Sequence, residues 1–579
     1  MSKGVSMYRK SILAIFIGLF LLGCGGEQQQ EQDIRWVTTS EGRRIPQGGM
    51  LVAGLISDIH SLNDYTAGSE AAGNIISLMF LKLAELNPDL VSFSPELARS
   101  WEFSEDRKQL KFHLRTDVHW WDGTPTTAND VVFTQQIASN PEIASPIIRW
   151  KEHISEVEAI DDSTVIFTFD QVYPYQLMDA VTGVILPKHV LDTVNAENFG
   201  STEFNQDPLG NGPFMLQEWK PQEQITLKRN PEYYEEGKPY LDRIVFRIVP
   251  DRTTLLTQLR AGEVDFLTNV PPREYQKLTE DYQEGNISIK PYEFPGRSYE
   301  FIVWNTIDPD QYSPQEINTL EELDRIPNPY FADSRVRRAM THALNRNLIR
   351  DAVGYGLFME MTGPIPPILW AHNDTLNPLD YSVEKSRQLL DEAGWIDTDG
   401  DGIRDKGGEE FRFTMKLNAG NTRREQTATL AQEMLREVGV QMDIRQIESA
   451  TYRNDLMTKR FDAAIVGWAT SLKVDFTSIF HSKAVFDKFN FSSYRNPEFD
   501  RINDRANSTI DRERAKQLWT QAQKILIQDQ PYTWLYYQKS THGLHERFRN
   551  VVMDKRGAYN NLEEWWVPVD ERKYRTPDL

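Results

Sequence analysis

Residues 101–134, WEFSEDRKQLKFHLRTDVHWWDGTPTTANDVVFT, constrain the fold most, because they predict two strands, a tight turn and a helix in close succession. The second strand alternates apolar and polar side chains, which is the two-residue period of a strand with one buried face. Its apolar residues are Leu110, Phe112 and Leu114. Asp122–Gly123 is typical of a chain reversal. Thr127 or Asn129 then offers a cap for a helix that begins near Asp130.

Strands and helices also alternate along the rest of the chain. Leu241 to Val249 predicts a strand, and Thr253 to Ala261 predicts a helix closed by Gly262. Further strands are predicted at 164–169, 411–417 and 532–537, and further helices at 427–437 and in a segment ending near Leu83. One face of a helix after Asp333 collects apolar residues at helical spacing, namely Val336, Ala339, Met340 and Ala343. This alternation predicts an α/β fold, and 579 residues exceed what one core accommodates, so two or more domains are expected.

Several ordered blocks carry a recognisable pattern. Residues 101–134 contain W-x-F-S-x-D, F-x-L-R-x-x-V-x-W-x-D-G and T-A-x-D-V-x-F-T in that order. Later blocks are G-x-G-P-F at 210–214, L-x-x-G-E-x-D at 259–265, D-x-R-V-R-x-A at 333–339 and F-D followed by G-W at 461–468. Together these blocks resemble the family 5 extracellular solute-binding proteins, the peptide, nickel and related receptors of ABC importers.

The resemblance implies an α/β receptor with two lobes, of the class II periplasmic-binding-protein type, with an extra subdomain in the first lobe. The implied division is a lipoprotein signal peptide at 1–23, a lipidated tether at 24–45, lobe I at 46–93 and 209–298, subdomain Ib at 94–208, lobe II at 299–531 and a C-terminal return to lobe I at 532–579. We expect a monomer that captures a small solute between its lobes and presents it to a membrane permease.

The first residues indicate export. A basic segment precedes an apolar run from Ile12 to Leu22, which is too short to span a membrane but typical of a secretory signal. The run ends in Leu-Leu-Gly-Cys, which resembles the lipobox of bacterial lipoproteins, in which the cysteine is acylated after cleavage. Cys24 is the only cysteine, and a buried free thiol is the alternative. Acyl chains hold a protein stably on a membrane, so we expect an extracytoplasmic lipoprotein, in the periplasm or on the cell surface.

The F-D and G-W block implies where a ligand binds. In peptide-binding members of the resembled family, the backbone around this Gly-Trp pair adds the ligand main chain as a strand. The expected ligand-binding residues are Ser69, Glu70, Thr268, Asn269, Tyr299, Gly467, Trp468, Ala469, Ser471 and Asp475, with Trp304 and Tyr494 as further aromatic candidates. Those members neutralise the peptide amino terminus with an aspartate three places after the tryptophan. Here Ser471 holds that place and Asp475 comes four residues later, while Trp468 has the alternative of a core aromatic.

Residues 397–405, DTDGDGIRD, resemble the start of an EF-hand calcium loop. Carboxylates occupy its first, third, fifth and ninth places, with glycine sixth; the expected ligands are Asp397, Asp399, Asp401 and Asp405. The loop departs from the pattern at the twelfth place, where Gly408 replaces the bidentate glutamate. The alternatives are therefore a structural calcium site and an acidic surface turn, and no other cofactor is required.

The net charge and the motifs of the chain narrow the range of possible functions. The formal net charge of −21 becomes −24 when the signal peptide with its three positive charges is removed, which argues against a nucleic-acid partner. There is no HExxH, G-x-S-x-G or phosphate-loop motif, so we expect no enzyme. The leading hypothesis is a receptor for oligopeptides or dipeptides. The alternatives are the same receptor for a nickel chelate, opine or oligosaccharide, and a secreted glycan-active enzyme or adhesive lipoprotein.

Overall fold

The structure is a computed structural model that describes residues 34–39, 41–487 and 489–573. The predicted signal peptide and Cys24 lie outside the described residues. The chain before the subdomain forms β1 (Trp36–Thr38), β2 (Arg44–Pro46), β3 (Met50–Leu55), α1 (Glu70–Met79), β4 (Ala84–Leu86) and β5 (Phe93–Pro95). Within the described residues, no helix is both apolar and long enough to cross a membrane.

Residues 94–208, the predicted subdomain, contain a four-stranded antiparallel sheet and several helices. Its elements are β6 (Ala98–Phe103), β7 (Gln109–Leu114), α2 (Ala128–Ser139), β8 (Ile154–Asp161), β9 (Thr164–Phe169), α3 (Gln176–Val181), α4 (Lys188–Leu191) and α5 (Ala196–Phe199). The predicted face of β7 is fully buried. The helix begins after Thr127, whose backbone N–H donates to Asp130 at 2.8 Å, so the strand, turn and helix predicted here are confirmed.

The chain then enters the large central sheet. It forms β10 (Phe214–Lys220), β11 (Gln224–Arg229), β12 (Arg243–Ile248), α6 (Arg252–Arg260), β13 (Phe266–Thr268), α7 (Pro272–Gln283) and β14 (Ile289–Trp304). Helix α1 ends at Met79, earlier than the predicted Leu83. The corner at 210–213 accounts for this difference, because Gly212 N–H donates to the Met79 carbonyl at 2.8 Å and Asn211 accepts from Leu81 N–H at 2.9 Å.

Residues 299–531, the predicted second lobe, pack helices on both faces of the far end of that sheet. Its elements are α8 (Leu320–Leu323), α9 (Ser334–Ala343), α10 (Arg346–Gly354), β15 (Phe358–Glu360), α11 (Val383–Glu392), β16 (Asp405–Lys406), β17 (Glu409–Glu410), β18 (Arg412–Asn418), α12 (Thr422–Glu437), β19 (Gln441–Ile447), α13 (Ser449–Met457), β20 (Ala463–Ala469), α14 (Thr477–Phe480), α15 (Pro497–Ser508) and α16 (Arg512–Asp529). The predicted apolar face of α9 is confirmed, because all four residues are at most 1% exposed. Helix α12 begins five residues before the predicted start, where Asn421 caps it.

Two long strands join the lobes. β21 (Tyr532–His545) is longer than the predicted strand at 532–537, and it pairs antiparallel with β14 along both halves of that strand. The half of β14 that precedes Gly296 pairs only with β21, which in turn pairs with β13 of the first lobe. The half of β14 from Tyr299 onward also pairs with β20 of the second lobe. The register of β14 shifts between Pro295 and Tyr299. Both lobes therefore share one 11-stranded sheet with an irregularity at their junction.

Packing in the first lobe includes the end of the chain. Phe266 meets Tyr559 edge-on at 5.1 Å and Trp565 at 5.8 Å between ring centroids. Trp565 is fully buried in the same hydrophobic cluster as helix α1 and the subdomain strands. Burial of large aromatic rings stabilises the folded state by some 1.5–3 kcal/mol per side chain, so the segment after β21 is held firmly on the first lobe.

Candidate functional site

The strand that carries the predicted Gly-Trp pair ends at the junction of the lobes. Gly467, Trp468 and Ala469 of β20 pair with residues 298–300 of β14. Beyond them, the backbone N–H and the hydroxyl of Thr470 donate to the Arg297 carbonyl at 3.0 and 2.9 Å. The junction is thus built from a fixed strand end beside the irregular part of β14.

The other edge of β20 is open near its end. β18 pairs with β20 only at Ala463 and Ala464, so no described strand pairs with the Val466–Ala469 segment on the side away from β14. Ala469 and Ser471 are exposed, and Gly467 and Trp468 are half-buried. An unpaired strand edge presents backbone donors and acceptors to any extended chain that comes alongside.

Trp468 has both a packed and an accessible surface. Its ring stacks on Phe491 with centroids 5.2 Å apart and planes 10° apart, and Phe489 meets it edge-on at 5.8 Å. The indole is therefore held in one orientation at the open edge.

The other three aromatic candidates lie in the core of the second lobe. Tyr299, Trp304 and Tyr494 are at most 3% exposed. The Trp304 indole donates to Thr533 at 3.0 Å, and the Tyr494 hydroxyl donates to Asp529 at 2.6 Å. In this structure all three side chains pack inside the lobe, and the polar atoms of Trp304 and Tyr494 have partners there. Ligand contact by these residues stays a prediction.

The first-lobe candidates lie in two places. Ser69 caps α1 by accepting from Ala72 N–H at 3.2 Å, and Glu70 is exposed in the first turn of that helix. Glu70 lies close enough to Arg297 to influence it: burial lowers the pKa of the Arg297 guanidinium, and the negative charge of Glu70 opposes that shift. Glu70 is therefore a first-lobe residue that faces the junction.

Thr268 and Asn269 lie at the end of β13. Thr268 pairs with His542 of β21 and is half-buried. Asn269 is exposed, adopts a left-handed backbone with φ of 54°, and its carbonyl accepts from Arg252 at 3.2 Å. Both residues lie in the first lobe, on the strand next to β21.

The two acceptors predicted after Trp468 are engaged inside their own loop. Ser471 Oγ accepts from the Lys473 N–H at 3.2 Å. Asp475 Oδ1 accepts from Thr477 N–H and from the Asn507 amide, each at 2.8 Å, so it holds the start of α14. Asp475 therefore has a structural role in this conformation.

A buried ionic cluster lies beside Gly467 and was not predicted from the sequence. Glu300 is fully buried and accepts from Arg423 Nε at 2.9 Å, from Arg424 Nε at 2.6 Å and from the Tyr536 hydroxyl at 2.6 Å. Burial opposes ionisation of Glu300, but the two arginines outweigh burial and hold its pKa below the usual range. The only available signal was the adjacent arginine pair after the predicted strand at 411–417.

This cluster gives the open strand edge a local charge. A Cβ placed on Gly467 would lie 3.3 Å from Nη2 of Arg424, which shows how closely the cluster approaches the strand. One carboxylate and two guanidinium groups leave a net positive charge there, and the side chain of Arg423 is 30% exposed. The open strand edge therefore lies next to a net positive charge.

The acidic loop at 397–405 brings three of its four expected ligands together. One carboxylate oxygen each from Asp397, Asp399 and Asp405 lies within 4.8 Å of the others. Asp401 is outside this group and accepts from Ile403 N–H at 2.8 Å. Thr398 donates its hydroxyl to Asp405 at 2.8 Å, which fixes that carboxylate.

Comparisons with known proteins show the family and the fold of the chain. The model of the bacterial extracellular solute-binding proteins, family 5 middle region, matches residues 92–487. The chain is 30% identical over 565 residues to the oligopeptide-binding protein AppA of Bacillus subtilis, covering 96% of this chain and 98% of that protein. It is 27% identical over 521 residues to the dipeptide-binding protein of Escherichia coli, covering 86% and 90% of the two chains.

Solved structures have the same fold. The structure of Bacillus subtilis AppA in complex with a nonapeptide matches with a TM-score of 0.73, covering 90% of this chain and all of that one. NikZ from Campylobacter jejuni in complex with Ni(L-His) matches with a TM-score of 0.71 at 23% identity, covering 89% and 99%. The chain belongs to the bacterial extracellular solute-binding proteins of family 5 and has their two-lobed α/β fold.

Proposed function

We propose that this protein is the solute-binding component of an ABC importer, and that it captures peptides between its lobes and delivers them to a membrane permease. The open edge of β20 at Val466–Ala469 is the observation that carries the proposal. A peptide in extended conformation pairs with such an edge through its main chain, which gives affinity without selecting side chains. The relatives named above include an oligopeptide-binding protein solved with a nonapeptide, which supports the same ligand class.

The surroundings of that edge supply further interactions. The half-buried face of Trp468 offers apolar contact, and the positive cluster of Arg423 and Arg424 attracts a carboxylate of the ligand. Closure around the ligand follows from its tighter binding to the closed arrangement of lobes, and the ligand is released unaltered.

The test is thermal unfolding of the mature protein with a diverse pool of short peptides. A ligand at one hundred times its Kd stabilises the protein by about 2.7 kcal/mol, so the melting temperature rises. For each active peptide, a version with N-methylated backbone amides is the matched control. It keeps the side chains but loses donors to the strand edge, so we expect weaker stabilisation. Failure of every peptide in the pool to raise the melting temperature would refute the peptide assignment.

A non-peptide solute, such as a nickel chelate, opine or oligosaccharide, is the second candidate. Ser471 favours it, because a serine stands three places after Trp468, where the resemblance to peptide receptors predicts an aspartate for the peptide amino terminus. Mass spectrometry of the solute released by denaturing the freshly purified protein distinguishes the two, since a peptide and a metal chelate differ in composition.

Membrane attachment is a separate part of the proposal. Cleavage after residue 23 and acylation of Cys24 would anchor the mature chain outside the cytoplasmic membrane, with the polar residues 25–35 as the tether. The lipobox-like sequence supports this assignment.

A further inference from the structure

A lysine of the second lobe pairs with a buried aspartate of the subdomain. Lys473, in the loop after β20, forms an ion pair with Asp179, whose side chain is 2% exposed. The Lys473 ammonium also lies 4.5 Å from the centroid of the Trp150 ring and 5.9 Å from that of Tyr175. The Val474 N–H next to it donates to the Tyr175 hydroxyl at 3.0 Å. The two lobes therefore meet at this place through the Lys473 ammonium group and through hydrogen bonds between the Tyr175 hydroxyl and the Val474 backbone.

The subdomain itself provides a hydrogen-bond donor for only one oxygen of the Asp179 carboxylate. The other oxygen is available to a cation from outside the subdomain. The Tyr173 hydroxyl donates to Asp179 Oδ2 at 2.6 Å. Lys151 is buried nearby, but its ammonium donates to the backbone carbonyls of Asp179 and Thr182, each at 2.7 Å. Within the described residues, Oδ1 of Asp179 receives no hydrogen bond from the subdomain. A carboxylate with a free oxygen beside two aromatic faces has the composition of an ammonium-binding site.

Among the described residues near the strand end, the two carboxylates that were predicted to contact ligand, Asp475 and Glu70, have other partners. Ser471 stands where an aspartate would be, and Asp475 is engaged with Thr477 and Asn507. Glu70 has the positive charge of Arg297 as its neighbour.

We propose that Asp179, Trp150 and Tyr175 form an ammonium site that the receptor fills with its own Lys473, so that the amino group of a ligand is not recognised at this end of the cleft. The second half of this proposal rests on the proposed peptide function and deepens it. The ligand class is then peptides whose amino terminus need not be free, and blocked peptides are accepted as well as unblocked ones.

The first experiment probes the site without any peptide. Lys473→Ala leaves a space shaped for an alkylammonium ion, so n-propylammonium chloride should raise the melting temperature of this variant more than sodium chloride at the same ionic strength. Lys483→Ala, which removes an exposed lysine, is the matched control and should show no such difference. In Lys473→Ala/Asp179→Asn, propylammonium should lose its advantage. If propylammonium and sodium act alike on Lys473→Ala, the ammonium site is refuted.

The second experiment measures specificity in the wild-type protein with paired peptides that differ only in N-acetylation. We expect the two affinities to agree within about threefold, because a charge-assisted hydrogen bond to the amine would produce a larger preference. A preference of about tenfold or more for the free amine, the size that such a bond gives, would overturn the specificity assignment. If neither peptide binds, the proposed function fails, whereas the propylammonium result still decides the ammonium site.

Discussion

Glu300 shows how a single residue joins distant parts of the second lobe. It lies in the long strand β14, and its partners are Arg423 and Arg424 at the start of α12 and Tyr536 of β21. A buried charge is costly unless it is paired, and here every partner is itself held by an element of secondary structure.

Glu300→Gln should therefore destabilise the protein. The neutral side chain leaves two partly buried guanidinium groups without their counter-ion, and breaking a buried pair costs roughly 3–5 kcal/mol. Because the pKa of Glu300 is lower in the folded state, its stabilisation is present above the unfolded-state pKa of a glutamate and is lost as the pH falls through the folded-state value. Urea unfolding at neutral and acidic pH should show the wild-type advantage shrinking with acid.

Glu102→Gln is the control for this substitution. Glu102 is exposed and pairs with Lys111 at the surface, at 3.0 Å, so its removal should not change the unfolding midpoint measurably. Equal losses of unfolding free energy in Glu300→Gln and Glu102→Gln would contradict the role assigned to Glu300.

Among the secondary-structure elements, those governed by local patterns were predictable and those governed by distant partners were not. Alternation identified β7, and helical spacing identified the buried face of α9. The end of α1 was not predicted, because the carbonyl of its last residue, Met79, accepts a hydrogen bond from Gly212, more than 120 residues later. The pairing of β14 with β21 joins residues that are far apart in sequence, and periodicity carries no information about such partners.

The candidate site likewise has features that the sequence predicts and features that depend on tertiary packing. The Gly-Trp motif located the end of β20, whereas the burial of Tyr299 and the pairing of Lys473 with Asp179 depend on tertiary packing. A lysine in a loop gives no sequence signal for the buried carboxylate that it meets. Motifs thus identified the strand, and only the three-dimensional arrangement showed which side chains face it.

We propose that the loop at 397–405 binds calcium, and its geometry yields a prediction at the scale of this element. Calorimetric titration with calcium should give heat for the wild-type protein and none for Asp397→Asn, because the latter removes one of three converging carboxylates. Asp401→Asn is the matched control, since Asp401 lies outside the converging group, and it should retain binding. Absence of heat in the wild-type protein would refute calcium binding by this loop.

At the scale of the whole molecule, the proposed lipid anchor at the N-terminus has a direct test. Intact-mass spectrometry of protein extracted from its native host should show a chain that lacks residues 1–23 and carries the added mass of acyl chains on Cys24. Cys24→Ala should carry no acyl mass and should retain residues 1–23, because the acylated cysteine is what directs cleavage in bacterial lipoproteins. An unmodified wild-type Cys24 would contradict the anchor.

The sharing of one sheet by both lobes has a mechanical consequence. We infer that bending between the lobes concentrates where the register of β14 and β21 shifts, between Pro295 and Tyr299 and again between Glu300 and Phe301, because the hydrogen-bond ladder is regular along the rest of both strands. Gly296 sits there with its α-carbon so near β21 that a Cβ would lie 2.8 Å from the Gln538 carbonyl oxygen. On this inference, a few peptide units around Gly296 set how far the two lobes can move relative to each other.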